Sequence, residues 1–363
     1  MRPYPTPTAA ITIRYIFRRT WRGRAIVSAV RGYGAGCSDH LHRREFHTVA
    51  IIGNSDLDIF RLSLGGNPFG WTADEKTSFE ILDSFAEAGA NFIDTSDSYT
   101  ASAPGNSGGE SETIIGKWIT DRGLQNDIVV ATKVGSHPDF KGLKADNIAA
   151  AAEASLQRLQ TDCIDLYYAH FDDPQTPLEE TLEAFNALVV AGKVRYLGIS
   201  NYSPDRVREW LRITEENGYA APIALQPHYN LVHRKSYEPE LAQIATDNNI
   251  SVFPYFALAS GFLTGKYKTR ADIEGSSRER LTAGYFSDAG LDVVAELATI
   301  AQAHDSEIST VALAWLLTRP GITAPIASVS RPEQLPALLD APNLVLSSNE
   351  LDTLERVSAA VGA

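Results

Sequence analysis

The sequence predicts an α/β chain closed into a (β/α)8 (TIM) barrel, and three observations carry that prediction. From about Val49 onward, eight short apolar runs alternate with amphipathic stretches, the rhythm of a parallel sheet covered by helices. After the first run, Leu64-Gly65-Gly66-Asn67-Pro68-Phe69-Gly70-Trp71 lacks the Gly-x-Gly-x-x-Gly of an open dinucleotide-binding sheet. Polar residues end successive runs, where barrels of this kind assemble their active sites.

The elements follow in order. Val49–Ile52 and Leu57–Phe60 flank the turn former Gly53-Asn54-Ser55-Asp56 and read as an N-terminal β-hairpin plugging the barrel bottom. Strands are predicted at Leu62–Leu64, Asn91–Asp94, Ile128–Lys133, Ile164–His170, Val194–Ser200, Ile223–Gln226, Ser251–Tyr255 and Ala324–Ile326. Helical patterns run near 73–89, 109–122, 145–160, 177–191, 203–217, 237–249 and 290–318, with two more, 331–340 and 348–359, after the last strand. Thr72 or Asp74 offers an N-cap, Pro177 and Pro204 suit first turns, and Gly192 follows a last turn. Phe256–Gly290 has neither pattern. A segment that long, after the seventh strand, reads as a functional loop on the active face.

At 363 residues and 44% hydrophobic, the chain can bury one large core. Its charge is uneven. Residues 1–49 hold nine Arg against Asp39 and Glu45, a net of +7, so with −13 overall residues 50–363 carry −20. A body that acidic repels nucleic acid and anionic membranes, and neither is an expected partner. Cys37 and Cys163 form no disulfide framework and suit a reducing cytoplasm. Residues 1–48 read as a separate, disordered Arg-rich extension, with an organellar transit peptide as the alternative, and 49–363 as the barrel. A monomer or small homo-oligomer is expected.

The stretch Asn91-Phe92-Ile93-Asp94-Thr95-Ser96-Asp97-Ser98-Tyr99 is the most informative. It puts a carboxylate at the end of the second strand and a phenol five residues later. Lys133 and His170 end the third and fourth strands. Singly, Asp94 reads as a cap, Lys133 as a surface strand end and His170 as a core histidine. Side by side on parallel strands, they cluster. A tyrosine between Lys⁺ and His is a way to donate a proton near neutral pH, as carbonyl reduction requires. No His/Asp/Glu set has ligand-like spacing, so no metal is expected.

From about residue 50 to its C-terminus, the chain resembles the aldo-keto reductase family, in the bacterial branch related to potassium-channel beta subunits. The matching text includes Asn91-Phe92-Ile93-Asp94-Thr95 with Tyr99, Gly109-Glu110-Ser111-Glu112 and Ala131-Thr132-Lys133. It continues with Asp165-Leu166-Tyr167-Tyr168-Ala169-His170, Gly192-Lys193-Val194-Arg195 and Gly198-Ile199-Ser200-Asn201-Tyr202, then Leu225-Gln226-Pro227-His228-Tyr229-Asn230 and Gly265-Lys266-Tyr267.

The resemblance implies NADPH-dependent reduction of a small-molecule aldehyde or ketone. Tyr99 would be the general acid, its pKa lowered by Lys133; Asp94 would hold Lys133, and His170 would orient the carbonyl. Ser200, Asn201 and Gln226 would bind the nicotinamide carboxamide, and Tyr255 would stack on its ring. Phe256, Ala257, Leu258, Ala259, Ser260 and Gly261, with Lys266, would wrap the pyrophosphate. Ser328, Ser330, Arg331 and Gln334 would take the adenosine phosphate. Three positions depart from the family pattern. Phe256-Ala257-Leu258 replaces Ser-Pro-Leu, Ser330 stands where an Arg is usual with Arg331 one position on, and Ala337-Leu338 replaces an acid–amide pair. NADH is therefore the alternative cofactor.

Two other readings follow from the same text. One is a cofactor-binding regulatory protein of the channel beta-subunit type; the other is a barrel lyase or isomerase acting on phosphorylated sugars. Loops after the strands would wall the substrate pocket: Trp71, Tyr99–Gly109, Ser136–Lys144, Phe171–Thr176, His228–Lys235 and Phe256–Gly290. Asp172, Asp173 and His228 are polar candidates there, or solvated loop residues.

Overall fold

The computed structural model describes residues 48–275 and 279–361. The chain divides between His42 and Arg43, and the described residues all belong to the second unit. The basic N-terminal extension expected over 1–48 lies outside them, Thr48 excepted.

Strands β1 (Val49–Ile51) and β2 (Asp58–Phe60) form an antiparallel hairpin. Then come β3 (Ser63–Gly65), β4 (Phe92–Asp94), β5 (Val129–Val134), a small hairpin of β6 (Ser136–His137) and β7 (Phe140–Lys141), β8 (Ile164–Ala169), β9 (Val194–Ser200), β10 (Pro222–Gln226), β11 (Ser251–Val252) and β12 (Ile326–Ala327). Eight of them make one parallel sheet in the order β11-β10-β9-β8-β5-β4-β3-β12. Its two ends meet. Val252 N donates to Gly321 O, Thr323 N to Val252 O and Ile326 N to Pro254 O, at 3.1, 2.9 and 2.9 Å. The sheet is thereby a closed (β/α)8 barrel.

Alternation along each strand separates two cores. Phe92, Val129, Ala131, Leu166, Tyr168, Ala224, Phe253, Ala324 and Ile326 point inward, joined by Ile52, Leu57 and Ile59 from the first hairpin. That hairpin bonds to the starts of strands: Gly53 N to Ser251 Oγ at 2.9 Å and Phe60 N to Asn91 Oδ1 at 2.8 Å. The larger outer cluster packs strand residues such as Ile93, Val130 and Tyr167 against the helices.

Those helices are α1 (Glu75–Glu87), α2 (Glu110–Arg122), α3 (Ala145–Leu159), α4 (Leu178–Val190), α5 (Pro204–Asn217), α6 (Leu241–Asp247), α7 (Glu279–Thr282), α8 (Asp288–Ala303), α9 (Ile308–Leu317), α10 (Leu335–Leu339) and α11 (Ser348–Ala359). Asp74, not Thr72, caps α1, its Oδ1 accepting from Thr77 N at 2.8 Å. Pro177 is the residue just before α4, and Pro204 opens α5 behind Ser203. Gly116 lets α2 lie on α3, because a Cβ there would fall 2.4 Å from Arg158 O.

Three expectations change. The single helix over 290–318 is two, broken where Asp305 takes φ 47°. The pattern at 331–340 divides into a 3-10 turn, Pro332–Gln334, and α10. Phe256–Gly290 is not structureless: it carries 3-10 turns at Ala259–Thr264, Arg270–Ile273 and Ala283–Tyr285, besides α7.

Candidate active site

The site is the upper continuation of the inner core. Phe92 and Asp94 share a face of β4, as do Val129, Ala131 and Lys133 on β5, and Ala224 and Gln226 on β10. Register then steps them round the barrel: Asp94 pairs with Ala131, Lys133 with Tyr168, and Ser200 with Gln226. One layer is apolar and the layer above it polar.

Lys133 Nζ donates to Asp94 Oδ2 at 2.6 Å, Thr95 O at 2.7 Å and Tyr99 OH at 2.9 Å. Tyr99 OH donates to Asp94 Oδ2 at 3.1 Å, and Gln226 Nε2 to Asp94 Oδ1 at 2.8 Å. The Tyr99 and His170 rings stand edge to face, 6.3 Å between centroids. Asp94, Lys133, Tyr99 and His170 therefore meet as the sequence predicts. Tyr99 and His170 line the pocket, and the ion pair lies behind them.

The electrostatics depart from expectation at one point. The Tyr99 pKa is raised well above 10, by burial first and then by the Asp94 carboxylate that its hydroxyl touches. Lys133 does not bring it down. Burial lowers the ammonium's own pKa, and Asp94 offsets its charge. His170 is pushed down to about 3 by burial and by Lys133, so its imidazole is neutral at physiological pH.

The pocket above holds 590 Å³, within the range of small-molecule and cofactor sites. Of the predicted residues, Ser200, Asn201, Gln226, Tyr255, Phe256, Ala257, Leu258, Ser260, Gly261, Lys266, Ser328, Ser330 and Gln334 line it; Ala259 is buried behind and Arg331 is exposed beside it. Tyr255 OH donates to Asn201 Oδ1 at 2.7 Å, and Asn201 Nδ2 donates to Ser200 Oγ at 3.0 Å. Ala259, Ser260 and Gly261 all have positive φ. A Cβ on Gly261 would fall 3.0 Å from Lys266 Nζ, so the glycine keeps room between turn and ammonium. Ser260 Oγ is buried without a hydrogen-bond partner. An orphaned hydroxyl and a cation over a tight turn fit a bound phosphate group.

Asn67 is a lining residue that the sequence reading missed; Ser328 Oγ donates to its Oδ1. Its place in the loop after the first strand was the available signal. Trp71 and Phe171 are exposed on the pocket wall. The other polar candidates are otherwise engaged. Asp172 is gripped by Arg206 through two 2.8 Å bonds, and Asp173 Oδ2 accepts from Leu143 N and Thr176 Oγ1. His228 stacks on His233 and bonds Tyr285 OH at 2.7 Å. Among the described residues, no group of three or more His, Cys, Asp or Glu could hold a metal ion, and no helix is long and apolar enough to cross a membrane.

Comparison with known proteins identifies the family. The pattern of the Aldo/keto reductase family matches residues 61–359. Aldo-keto reductase str7 of Strobilurus tenacellus is 32% identical over 316 residues, covering 85% of this chain and 89% of that protein. Aldo-keto reductase YhdN of Bacillus subtilis is 33% identical over 84% of this chain and 91% of its own length. A probable voltage-gated potassium channel subunit beta of Arabidopsis thaliana is 32% identical, over 84% and 95%. With the match spanning the barrel from its first strand to its last helix, the chain belongs to the aldo/keto reductase family.

Proposed function

We propose that the protein reduces an aldehyde or ketone to the alcohol, reversibly, with NADPH as the electron donor. The observation that carries this reading is the contact of Tyr99 OH with Lys133 Nζ at 2.9 Å on the floor of a pocket fit for a nucleotide. Ser200, Asn201 and Gln226 would hold the nicotinamide amide, Tyr255 its ring, and Ser260, Gly261 and Lys266 the pyrophosphate. Ser328, Ser330, Arg331 and Gln334 would hold the adenosine phosphate. Bound there, the reduced nicotinamide supplies the hydride.

The chain's own residues supply the rest. His170, neutral, donates a hydrogen bond to the carbonyl oxygen and fixes its direction. Tyr99, with its pKa raised, stays protonated through the physiological range. It gives its proton when the oxygen becomes as basic as an alkoxide, and Lys133 then lies beside the phenolate. Asp94 holds Lys133 where this is possible.

A second reading is favoured by the channel-subunit relative: a protein that binds the cofactor as a regulatory signal. Mixing the protein with NADPH and a panel of activated aldehydes separates the two. Oxidation of NADPH dependent on aldehyde supports the reductase. Tight NADPH binding with no turnover across the panel sinks it and favours the sensor.

A further inference from the structure

A second buried carboxyl lies behind the candidate site. Asp97 and Ser96, in the loop between β4 and α2, are both fully buried. Ser96 Oγ is 3.2 Å from Asp97 Oδ1 and 3.3 Å from His170 Nδ1, so one hydroxyl bridges the carboxyl and the imidazole; it also accepts from Ser98 N at 3.2 Å and lies 3.0 Å from Ser98 Oγ. Asp97 Oδ2 has no hydrogen-bond partner, and no ion pair reaches Asp97 among the described residues. The charged groups around it are engaged elsewhere. Glu112 pairs with Arg158 at 2.6 Å, and Lys133 with Asp94; the Tyr167 hydroxyl is buried without a hydrogen-bond partner.

With Ser98 N already donating to Ser96 Oγ, two proton arrangements connect Asp97 to His170 through the bridge. If Asp97 is ionised, the Ser96 hydroxyl points to Oδ1 in preference to the neutral Ser98 Oγ and accepts from His170, which puts the imidazole proton on Nδ1. His170 Nε2 is then an acceptor and has no proton to offer a carbonyl oxygen. If Asp97 is neutral, its acid hydrogen on Oδ1 points to Ser96 Oγ and the Ser96 hydroxyl points to Nδ1. The imidazole proton then resides on Nε2, as a donor.

We propose that Asp97 is a positioning residue, which as a neutral acid acts through Ser96 to fix His170 in its Nε2-protonated tautomer. This rests on the reading above only in what the tautomer is for, donation to the carbonyl oxygen. The orphaned Oδ2 supports the neutral form, because a buried carboxylate oxygen without a donor is costly and a carbonyl oxygen much less so. The Asp97 pKa, raised to about 7 by burial and by Glu112 against the opposing pulls of Ser96, Arg158 and Lys133, agrees with it.

The test is the ¹⁵N spectrum of histidine-labelled protein without cofactor, with His170 assigned by its loss in His170→Gln. In the wild type, the Nε2-protonated pattern should dominate about two pH units below the Asp97 titration and give way to the Nδ1-protonated one as far above it. Asp97→Asn, neutral at every pH, should keep the Nε2-protonated pattern throughout, and Ser96→Ala should abolish the transition. In turnover, Asp97→Asn should move the alkaline limb of the pH profile upward. Nδ1 protonation at the acidic end of the wild-type range, or a wild-type transition retained in either variant, would overturn the proposal. Because the spectrum is read without substrate or cofactor, it supports the proposal even if carbonyl turnover fails and the functional reading falls.

Discussion

Lys133 and Asp94 meet at 2.6 Å with their side chains 0% and 1% exposed, a charge pair sealed inside the top of the barrel. Such a pair is costly to half-remove. Replacing Lys133 with Met leaves Asp94 its bonds from Gln226 and Tyr99 but takes away the only opposite charge it touches among the described residues. We expect Lys133→Met to lose about 3–5 kcal/mol of stability along with activity. Urea titration reads the first; an unchanged unfolding midpoint would contradict the burial argument.

Tyr99→Phe isolates the proton. The ring that lies under Lys133 Nζ, 4.6 Å from its centroid, is kept, and only the hydroxyl goes. Turnover should fall about 10²- to 10⁴-fold, the usual contribution of a general acid, with NADPH affinity nearly unchanged. Steady-state kinetics beside a fluorescence titration of NADPH would check both. Wild-type turnover in this variant removes Tyr99 from its role.

Two buried groups give stability opposite pH slopes. Asp97 ionises at about 7 in the folded chain and at an ordinary 3.8 when unfolded. Between those values the folded state keeps a proton that the unfolded state has released, so stability falls as pH rises, by about 4 kcal/mol in all. His170 does the reverse: it stays neutral down to about 3 when folded and titrates near 6.5 when unfolded, so its contribution is lost as pH falls below 6.5. Between pH 3.8 and 6.5 the two oppose each other. Asp97→Asn removes one of them. Its stability should rise with pH across that window and exceed the wild type's most above pH 7. Parallel stability curves for the two proteins, by urea unfolding at each pH, would refute the assigned pKa.

What the sequence made legible follows from periodicity. Phe92 and Asp94, or Ala131 and Lys133, lie two apart, so an inward apolar residue implies an inward polar one above it. The eight strands and the strand-end groups Asp94, Lys133 and His170 could be read that way, and Tyr99 from its place five residues past Asp94. The Ser96–Asp97–His170 bridge could not, since it depends on side chains from two loops approaching within 3.3 Å. Nor could the break between α8 and α9. His304-Asp305-Ser306-Glu307 contains neither Gly nor Pro, and only the positive φ of Asp305 ends the run. The Tyr99 pKa was misread for a related reason: the sequence shows Lys133 as a neighbour but neither the burial of the phenol nor the Asp94 carboxylate that accepts from the same hydroxyl.

We expect cofactor choice to turn on Arg331. The 2′-phosphate of NADP carries close to two negative charges and needs a cation or several donors. Ser330 and Gln334 already line the pocket, held together by a 3.0 Å bond from Ser330 N to Gln334 Oε1. Arg331 lies between them in sequence, at the start of the Pro332–Gln334 turn, and its side chain is exposed. Exposure leaves a long guanidinium free to swing toward a phosphate at that end of the pocket. A charge-assisted hydrogen bond contributes about 1.5–3 kcal/mol. Arg331→Ala should therefore weaken NADPH binding about 10-fold or more and NADH binding hardly at all. Titrating both cofactors into both proteins decides it. Equal losses for the two, or a wild-type protein that prefers NADH, would mean that the phosphate lies elsewhere and that Arg331 is only a surface residue.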